Sequence, residues 1–503
     1  MLYDDPNAFN RIRSHPSKSL HDFAFDITTW TNNNNCIFTE KTNLFSSKAC
    51  GLFAQIEDLD FSTYTKVSFK GRKLSTHYML DPKMLRDEPE QVKENLKKRQ
   101  DDTYLQMVDE YVTVDVEWRD LDKQSNDLRK KRNESSKSIR SLKGKEKEAA
   151  IAEVSSIKSD LEEIEKQLNE KAERRQWLLD RIPNLLHESV PYGVDDSENQ
   201  EIRKHGKMPK FTFTPKDHHE LLEILDIAEI ERARKTSGSR FYFLKDEAVL
   251  LEMALLRYAI DILQKHDIHI FSTPTMVRKE ILYGTGFLPL GIDDIYKIEG
   301  EDLGLIGTSE VTLAGLHSKE VFLQDELPIR YAGVSQCFRT EASSSTKDDK
   351  GIFRVHEFKK VEMFVYTLPE KSWDEQERMI GIAEEIFQGL GLHYRVVNIC
   401  TGDIGAVAAR KYDIEVWMPG QQRYREVVSC SNCTDYQARR LDIKFREKEG
   451  TKPIGYVHTL NSTAITSTRP IVAILENFQL EDGTILIPKV LQKYTGFDKI
   501  IPK

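Results

Sequence analysis

The sequence predicts an α+β protein, with a mainly antiparallel β-sheet flanked by helices, preceded by a long antiparallel two-helix coiled-coil arm. Three observations carry this reading. Between Tyr104 and about Leu179 apolar residues recur at coiled-coil spacing. Val114, Leu121 and Leu128 step by seven, and on the return Val154, Ile157, Leu161, Ile164, Leu168 and Ala172 step by three and four. Beyond Pro183 and Pro191, short strand-like runs are interspersed with helical ones such as Glu375 to Leu390, which points to an antiparallel sheet rather than a doubly wound parallel one. Neither GxGxxG nor GxxxxGK[ST] occurs, so a dinucleotide fold and a Walker-type phosphate loop are both excluded.

Taken in order, residues 1–78 stand apart. Asn32 to Asn35 form a homopolymer, Ser and Thr are scattered, and periodicity is weak, so the segment is expected to be poorly ordered. A targeting peptide is the functional alternative, but Asp4, Asp5, Asp22 and Asp26 do not suit an acid-poor transit sequence. The arm follows within 79–188, and its turn is expected near Ser141 to Lys145, where Gly144 suits a reversal. Between Leu128 and Lys147 nine basic residues, among them Lys130, Lys131, Arg132, Lys143 and Lys145, face only Glu134 and Glu146. A solvated helix face mixes signs, whereas this tip is one-sided, so it reads as a surface for RNA phosphates. In 189–503 helical periodicity from Ala248 to Gln264 leads into a short strand, His269 to Ser272, and then Pro274.

The bulk properties exclude several classes. A net charge of -9 over 503 residues argues against a generally basic nucleic-acid binder, so RNA contact has to come from a local patch. Six cysteines, at 36, 50, 337, 400, 430 and 433, are too few for a disulfide scaffold of this size and suggest a reducing compartment. Cys430 and Cys433 alone have CxxC spacing, and without a second ligand pair they read as structural thiols before a zinc site. No apolar run reaches the length of about 18 residues that a membrane span needs.

The stretch from Phe338 to Glu362, FRTEASSSTKDDKGIFRVHEFKKVE, reads as a strand, a polar loop and a second strand. Alternation over Phe353, Val355, Glu357 and Lys359 places Arg354, His356, Phe358 and Lys360 on the other face, a cationic and aromatic surface that suits a nucleotide. The plainer alternative is an exposed hairpin laced with surface ion pairs.

FRTE, a loop and FRVHEFKKVE resemble the second signature motif of class II aminoacyl-tRNA synthetases, in particular the seryl-tRNA synthetase family. The resemblance extends to TSE at Thr308 to Glu310, to YREVVSCSNCTDYQARR from Tyr424 to Arg440, and to LNSTAITSTRPIVAILENFQ from Leu460 to Gln479. It covers the chain from about Met79 to the C-terminus, and implies a class II catalytic domain behind a tRNA-binding arm. The activity it implies is ligation of L-serine to tRNA(Ser), and to tRNA(Sec) where a cell has it, through a seryl-adenylate made from ATP with Mg²⁺. It further implies a cytoplasmic homodimer, organellar if residues 1–78 target it, with the helix and strand before Pro274 at the dimer interface. Arg339 would contact the α-phosphate and the serine carboxylate, and Phe358 and Arg469 would sandwich adenine. Thr340, Glu341, Arg354, Val355, Arg425, Val427 and Val428 complete the implied ATP set, while Glu426 and Ser429 would hold Mg²⁺. Thr308, Ser309 and Glu310 would take the serine ammonium group, and Glu362, Asn461 and Thr463 the region of its hydroxyl. The family's Asn-Gly-Ser is Asn461-Ser462-Thr463 here.

Such chemistry needs no nucleophilic triad, because a carboxylate already ionised at neutral pH attacks phosphorus. His356 is accordingly expected to be structural. Two other readings stay open at the level of sequence, a paralogue that loads a carrier protein and a non-catalytic RNA-binding descendant. Since the family resemblance starts at Met79, residues 1–78 are expected to be an extension or a start-site artefact, and a protein lacking them is expected to keep both serine-dependent pyrophosphate exchange and tRNA charging. Failure of the truncated protein to fold or to charge would make the extension integral.

Overall fold

The computed structural model describes residues 80–342 and 350–503; the expectations for residues 1–78 and for most of the polar loop before Gly351 lie outside the described residues. Two short helices, Pro82–Asp87 and Pro89–Leu96, lead into the arm. Helices α1 (Thr103–Ser138) and α2 (Gly144–Leu179) have 36 residues each, so each is roughly 54 Å long at 1.5 Å per residue. Their pairing is antiparallel. Arg174 meets Glu110, Lys171 meets Glu117, and Arg129 meets Glu165, one partner number falling as the other rises. The reversal comes where the sequence places it, with Gly144 at φ 57, the left-handed region that a Cβ disfavours.

The arm's seam is not uniform. At its root Val108, Tyr111, Val114, Leu178 and Leu179 are buried against Leu85, Val92 and Leu96 of the short helices, and further out Ile157 and Leu161 are buried while Leu121, Leu128 and Leu168 are only half covered. One charge lies inside the root. Asp115 is 1% exposed and accepts from Arg175 at 2.6 Å and Arg86 at 2.9 Å, with the Arg175 guanidinium over the rings of Trp118 (4.9 Å) and Tyr111 (5.5 Å).

The remainder is built on one sheet. In chain order come β1 (Gln200–His205), α3 (Glu247–Lys265), β2 (His269–Ser272), α4 (Glu310–Gly315), β3 (Ile329–Phe338), β4 (Glu357–Thr367), α5 (Ser372–Gly389), β5 (Tyr394–Asn398), β6 (Arg410–Met418), β7 (Arg423–Asn432), α6 (Tyr436–Leu441), β8 (His458–Thr466) and α7 (Thr468–Asn477). The eight strands run in the order β1-β5-β6-β7-β8-β4-β3-β2, and every pairing is antiparallel except β2 with β3. The expected mainly antiparallel sheet is therefore what forms. Helices α3, α5 and α7 cover one face with Leu251, Leu255, Ile386, Phe387, Ile471 and Leu475, packed on Val361, Met363 and Ile414 of the sheet. The opposite face is left for the site.

One expectation needs correction. The alternation from Phe353 predicts a strand there, but β4 starts at Glu357. Residues 352–356 find other partners, since the Ile352 N–H points to His218 Nε2 (3.4 Å) and the His356 N–H donates to the Arg240 carbonyl (3.1 Å). The last rung toward β3 is Arg339 N–H to the His356 carbonyl at 2.9 Å.

Removing Asp115 would leave Arg175 buried without its counter-ion. Asp115→Ala is expected to cost about 3–5 kcal/mol in chemical denaturation of the full chain, whereas Glu110→Ala at the solvated Arg174 pair should cost less than about 1 kcal/mol. Equal effects would show that burial of the Asp115 pair is not what matters.

Candidate active site

A cavity of about 310 Å³ opens over the centre of the sheet. Strand phase explains its floor. On β4 the residues Phe358, Lys360 and Glu362 point into it while Val361, Met363 and Val365 point to the helices. Two β-bulges then adjust what alternation alone would give. Ile414 pairs with Val428 and Glu415 with Glu426, so Val427 is the extra residue of β7, and Glu426 reaches the cavity on the same side as Ser429 and Ser431. On β8 the extra residue is Ala464, which brings Thr466 to the cavity along with Asn461 and Thr463.

At one end two carboxylates share a dehydrated space. Glu362 is 2% exposed, accepts from Lys360 Nζ at 2.7 Å and from the Thr463 hydroxyl at 3.2 Å, and lies opposite Thr463 in the β4–β8 ladder. Glu310 accepts from the amide of Gln437 (2.8 Å) and from that of Asn461 (3.0 Å), and its own N–H donates to the Thr308 hydroxyl (3.2 Å). Burial and the nearby Glu362 charge push the Glu310 carboxyl up to about 7. That is a carboxylate whose charge is costly until a cation arrives.

At the other end the groups are cationic and aromatic. Arg339 lies with its guanidinium 5.3 Å from the Phe358 ring centre, and its Nε donates to the Gly307 carbonyl at 3.3 Å. Arg469 donates to the Glu426 carbonyl at 2.9 Å and pairs with the Glu426 carboxylate at 3.3 Å, and its guanidinium lies over Phe353 at 5.0 Å. Loss of solvent would raise the Glu426 carboxyl, but Arg469, Lys411 and Arg339 outweigh it and hold the group down at about 2. Beside it, Asp413 pairs with Lys411 at 3.0 Å and lies opposite Ser429 in the ladder. Oxygen donors from Glu426 and Ser429, both of which line the cavity, suit a hard cation.

Most of the expected residues meet here. Thr308, Glu310, Arg339, Glu341, Arg354, Val355, Phe358, Glu362, Glu426, Val427, Ser429, Asn461, Thr463 and Arg469 all line the cavity. Four do not, each for a visible reason. The Ser309 hydroxyl is buried against the Gly333 carbonyl (3.0 Å) at the start of α4, and Thr340 is tied by its hydroxyl and N–H to the carbonyls of Asp293 and Asp294. Arg425 lies over Phe353 at 3.7 Å and donates to Gln421 at 2.8 Å, while Val428 points into the core. His356 does not line the cavity, and its Nδ1 donates to the Arg339 carbonyl at 2.9 Å.

Comparisons with known proteins bear on this site. The model of the seryl-tRNA synthetase N-terminal domain matches residues 79–186, and that of the class II tRNA synthetase core domain (G, H, P, S and T) matches residues 295–478. A serine–tRNA ligase from Dictyoglomus turgidum is 46% identical over 426 residues, which is 84% of this chain and 100% of that protein. The chain belongs to the seryl-tRNA synthetase family. Among solved seryl-tRNA synthetases, that of Pyrococcus horikoshii complexed with ATP superposes with a TM-score of 0.80 at 48% identity, over 84% of this chain and 100% of that one. The cytoplasmic enzyme of Naegleria fowleri in complex with AMP gives 0.74 at 35% identity, over 85% and 100%.

For a seryl-tRNA synthetase, the assignments drawn from sequence left out several residues. Gln437, on α6 within the quoted Tyr424 to Arg440 stretch, supports Glu310, and Lys360 neutralises Glu362. The alternation of β4 places Lys360 toward the site, but nothing in the sequence pairs it with Glu362. Phe353 carries two guanidinium groups over its ring, and the buried Thr466 hydroxyl lines the cavity with no protein partner.

The Glu310 carboxyl generates a pH dependence whose sign is definite. An ammonium ligand binds the ionised form, which predominates above about 7 and is lost as the pH falls through that value. Lowering the pH from 8 to 6 is expected to raise the KM for serine roughly tenfold, with the ATP KM nearly flat. Glu310→Gln should bind serine poorly at every pH and abolish the step; an unchanged step in that variant would assign it to another group.

Proposed function

We propose that the cavity binds L-serine at its carboxylate end and ATP at its cationic end, and forms seryl-adenylate between them. The chain is an enzyme, a class II serine–tRNA ligase, and the proposal concerns which residues do what. The observation that carries it is the single cavity in which Glu310 and Glu362 lie at one end and Arg339, Arg469 and Phe358 at the other.

In this reading Glu310 with Thr308 takes the ammonium group, and Glu362 with Thr463 takes the side-chain hydroxyl. A buried acceptor of that kind disfavours alanine, which would bring no donor to the hydroxyl position, and the walls reject larger side chains. Arg339, at the cationic end but near enough to act electrostatically on both Glu310 and Glu426, would hold both the serine carboxylate and the α-phosphate. Phe358 and Arg469 would face adenine, with Glu341 and the backbone near Val355 reading its amino group and Arg354 near the phosphates. The ion pair of Arg354 with Glu341, at 3.0 Å, would have to open or share its charge for this. Glu426 and Ser429 would hold Mg²⁺, which when bound neutralises phosphate charge. The nucleophile needs no base, so the protein contributes orientation and fixed charge.

The one-signed tip of the arm would take the phosphates of tRNA(Ser), Lys130, Lys131, Arg132, Lys143 and Lys145 among them, and of tRNA(Sec) where it occurs. Dimerisation through α3 and β2 is supported by Leu250 and Met253, apolar residues of α3 that are 46% and 57% exposed. The division at residue 188 between arm and catalytic part, and a cytoplasmic location, belong to the same proposal. No helix among the described residues is long and apolar enough to cross a membrane. The carrier-protein and non-catalytic readings have no support, since the arm is full length and the cavity keeps Arg339, Glu341, Glu426 and Arg469.

Pyrophosphate exchange across a panel of amino acids, run beside tRNA charging, tests this. Exchange is expected with serine, and exchange with another amino acid in its place would overturn the substrate assignment. Replacing the five tip residues by serine should leave exchange within about twofold while charging falls by at least about tenfold, more steeply at higher salt. Equal losses in both assays would point to misfolding, and intact charging would remove the arm tip from tRNA binding.

A further inference from the structure

The wall of the cavity at Gly405 to Ala408 is made by residues with no polar side chain. Its shape has to be imposed on its backbone from outside, and the groups that impose it come from the root of the arm. Arg99 donates from Nη1 to the carbonyls of Ile404 and Gly405 (both 3.3 Å) and from Nη2 to that of Ala408 (3.3 Å). Asn184 takes the two carbonyls between them, its N–H donating to Ala406 (2.8 Å) and its Nδ2 to Val407 (2.9 Å). Five consecutive carbonyls are thus held by two residues, and those two are locked together, because Arg99 Nη2 also donates to the Asn184 carbonyl at 2.8 Å. Among the described residues no carboxylate pairs with Arg99, and burial among carbonyls draws its pKa down to about 10. A guanidinium solvated in this way serves geometry, since its planar fork reaches several acceptors at fixed angles.

The held wall belongs to the carboxylate end of the cavity. Asn184 Nδ2 also donates to the Cys433 carbonyl (2.9 Å), and Cys433 Sγ accepts from Asn461, whose amide donates to Glu310. Val407 closes on Gly286 so tightly that a Cβ there would lie 2.6 Å from it, next to Thr285, whose carbonyl accepts from the Gln437 amide that supports Glu310. We propose that Arg99 and Asn184 are positioning residues for the amino acid: the root of the arm sets the wall against which serine is seated. This rests on the assignment of serine to the Glu310 end. It makes the root of the arm part of the activation site, separate from any role of the tip.

The test uses the full chain with Arg99→Met and Arg99→Lys, measuring pyrophosphate exchange against both substrates, thermal denaturation, and amide exchange over residues 404–409. Arg99→Met is expected to raise the KM for serine at least about tenfold while the KM for ATP stays within about twofold, with faster amide exchange in the wall. Arg99→Lys, which keeps the charge but reaches fewer carbonyls, should recover part of the serine KM. An unchanged serine KM, or parallel rises for serine and ATP, would overturn the proposal. So would loss of the fold in both variants, which would make Arg99 a residue of stability alone. If the unaltered protein fails to exchange with serine, the substrate assignment falls; if it exchanges and the variants match it, only the clamp falls.

Discussion

Two carboxylates confined in one partly dehydrated cavity set the terms for the rest of the site. At this separation from water an ionised group is tolerated only with a partner, and the two acids are answered differently. Glu362 has the Lys360 ammonium at 2.7 Å, on its own strand two residues away, so its charge is balanced whatever binds. Glu310 has the amides of Gln437 and Asn461, which supply hydrogen bonds without net charge, and its carboxyl is correspondingly raised to about 7. An incoming ammonium group therefore gains most at Glu310, and the division of labour proposed for the two acids follows from which one already has a cation.

The sheet makes that division precise. A floor built on antiparallel strands repeats every two residues, which suffices for Phe358, Lys360 and Glu362. It would have left Glu426 on the wrong side. The bulges at Val427 and Ala464 change phase once on each of the two neighbouring strands, and the helices α3, α5 and α7 hold the far face so that the phase change is paid in backbone pairing and not in core packing.

How much of this was legible depends on the range of the interaction. Local periodicity announced the arm, its turn at Gly144, the helix from Ala248 and the strand at His269, all within a residue or two of where they form. Fourteen of the expected site residues line one cavity because their motifs lie on adjacent strands and on the loops and helix starts that adjoin them. Ser309, Thr340, Arg425 and Val428 sit in the same motifs yet point elsewhere, since side-chain direction within a motif depends on bulges and on the loops around it. The strand expected from Phe353 fails for a related reason: His218 and Arg240, over a hundred residues away, take the backbone groups that a ladder would have used. Gln437 and Asp413 carry no local signal, because a buried amide or carboxylate in a motif is recognisable only once its partner is in place.

The same distinction separates the two ends of the arm. Arg99 and Ile404 are 305 residues apart in sequence, and no pattern in either segment reports that contact. The tip, by contrast, is visible in the sequence because its charges are solvated and need no folded partner: Lys130, Lys143 and Lys145 are exposed, and Lys131 has only Glu153 at 3.5 Å. Interactions at the tip are screened within about 8–10 Å at ordinary salt, whereas hydrogen bonds among buried carbonyls at the root are not. The arm therefore has a salt-sensitive surface at its tip and, in the segments that flank its two helices, the buried hydrogen bonds of the proposed clamp. The seam between them is continuously buried at the root and only intermittently further out, so the arm is most shielded from water beside the Arg99 contacts and most solvated at its one-signed tip.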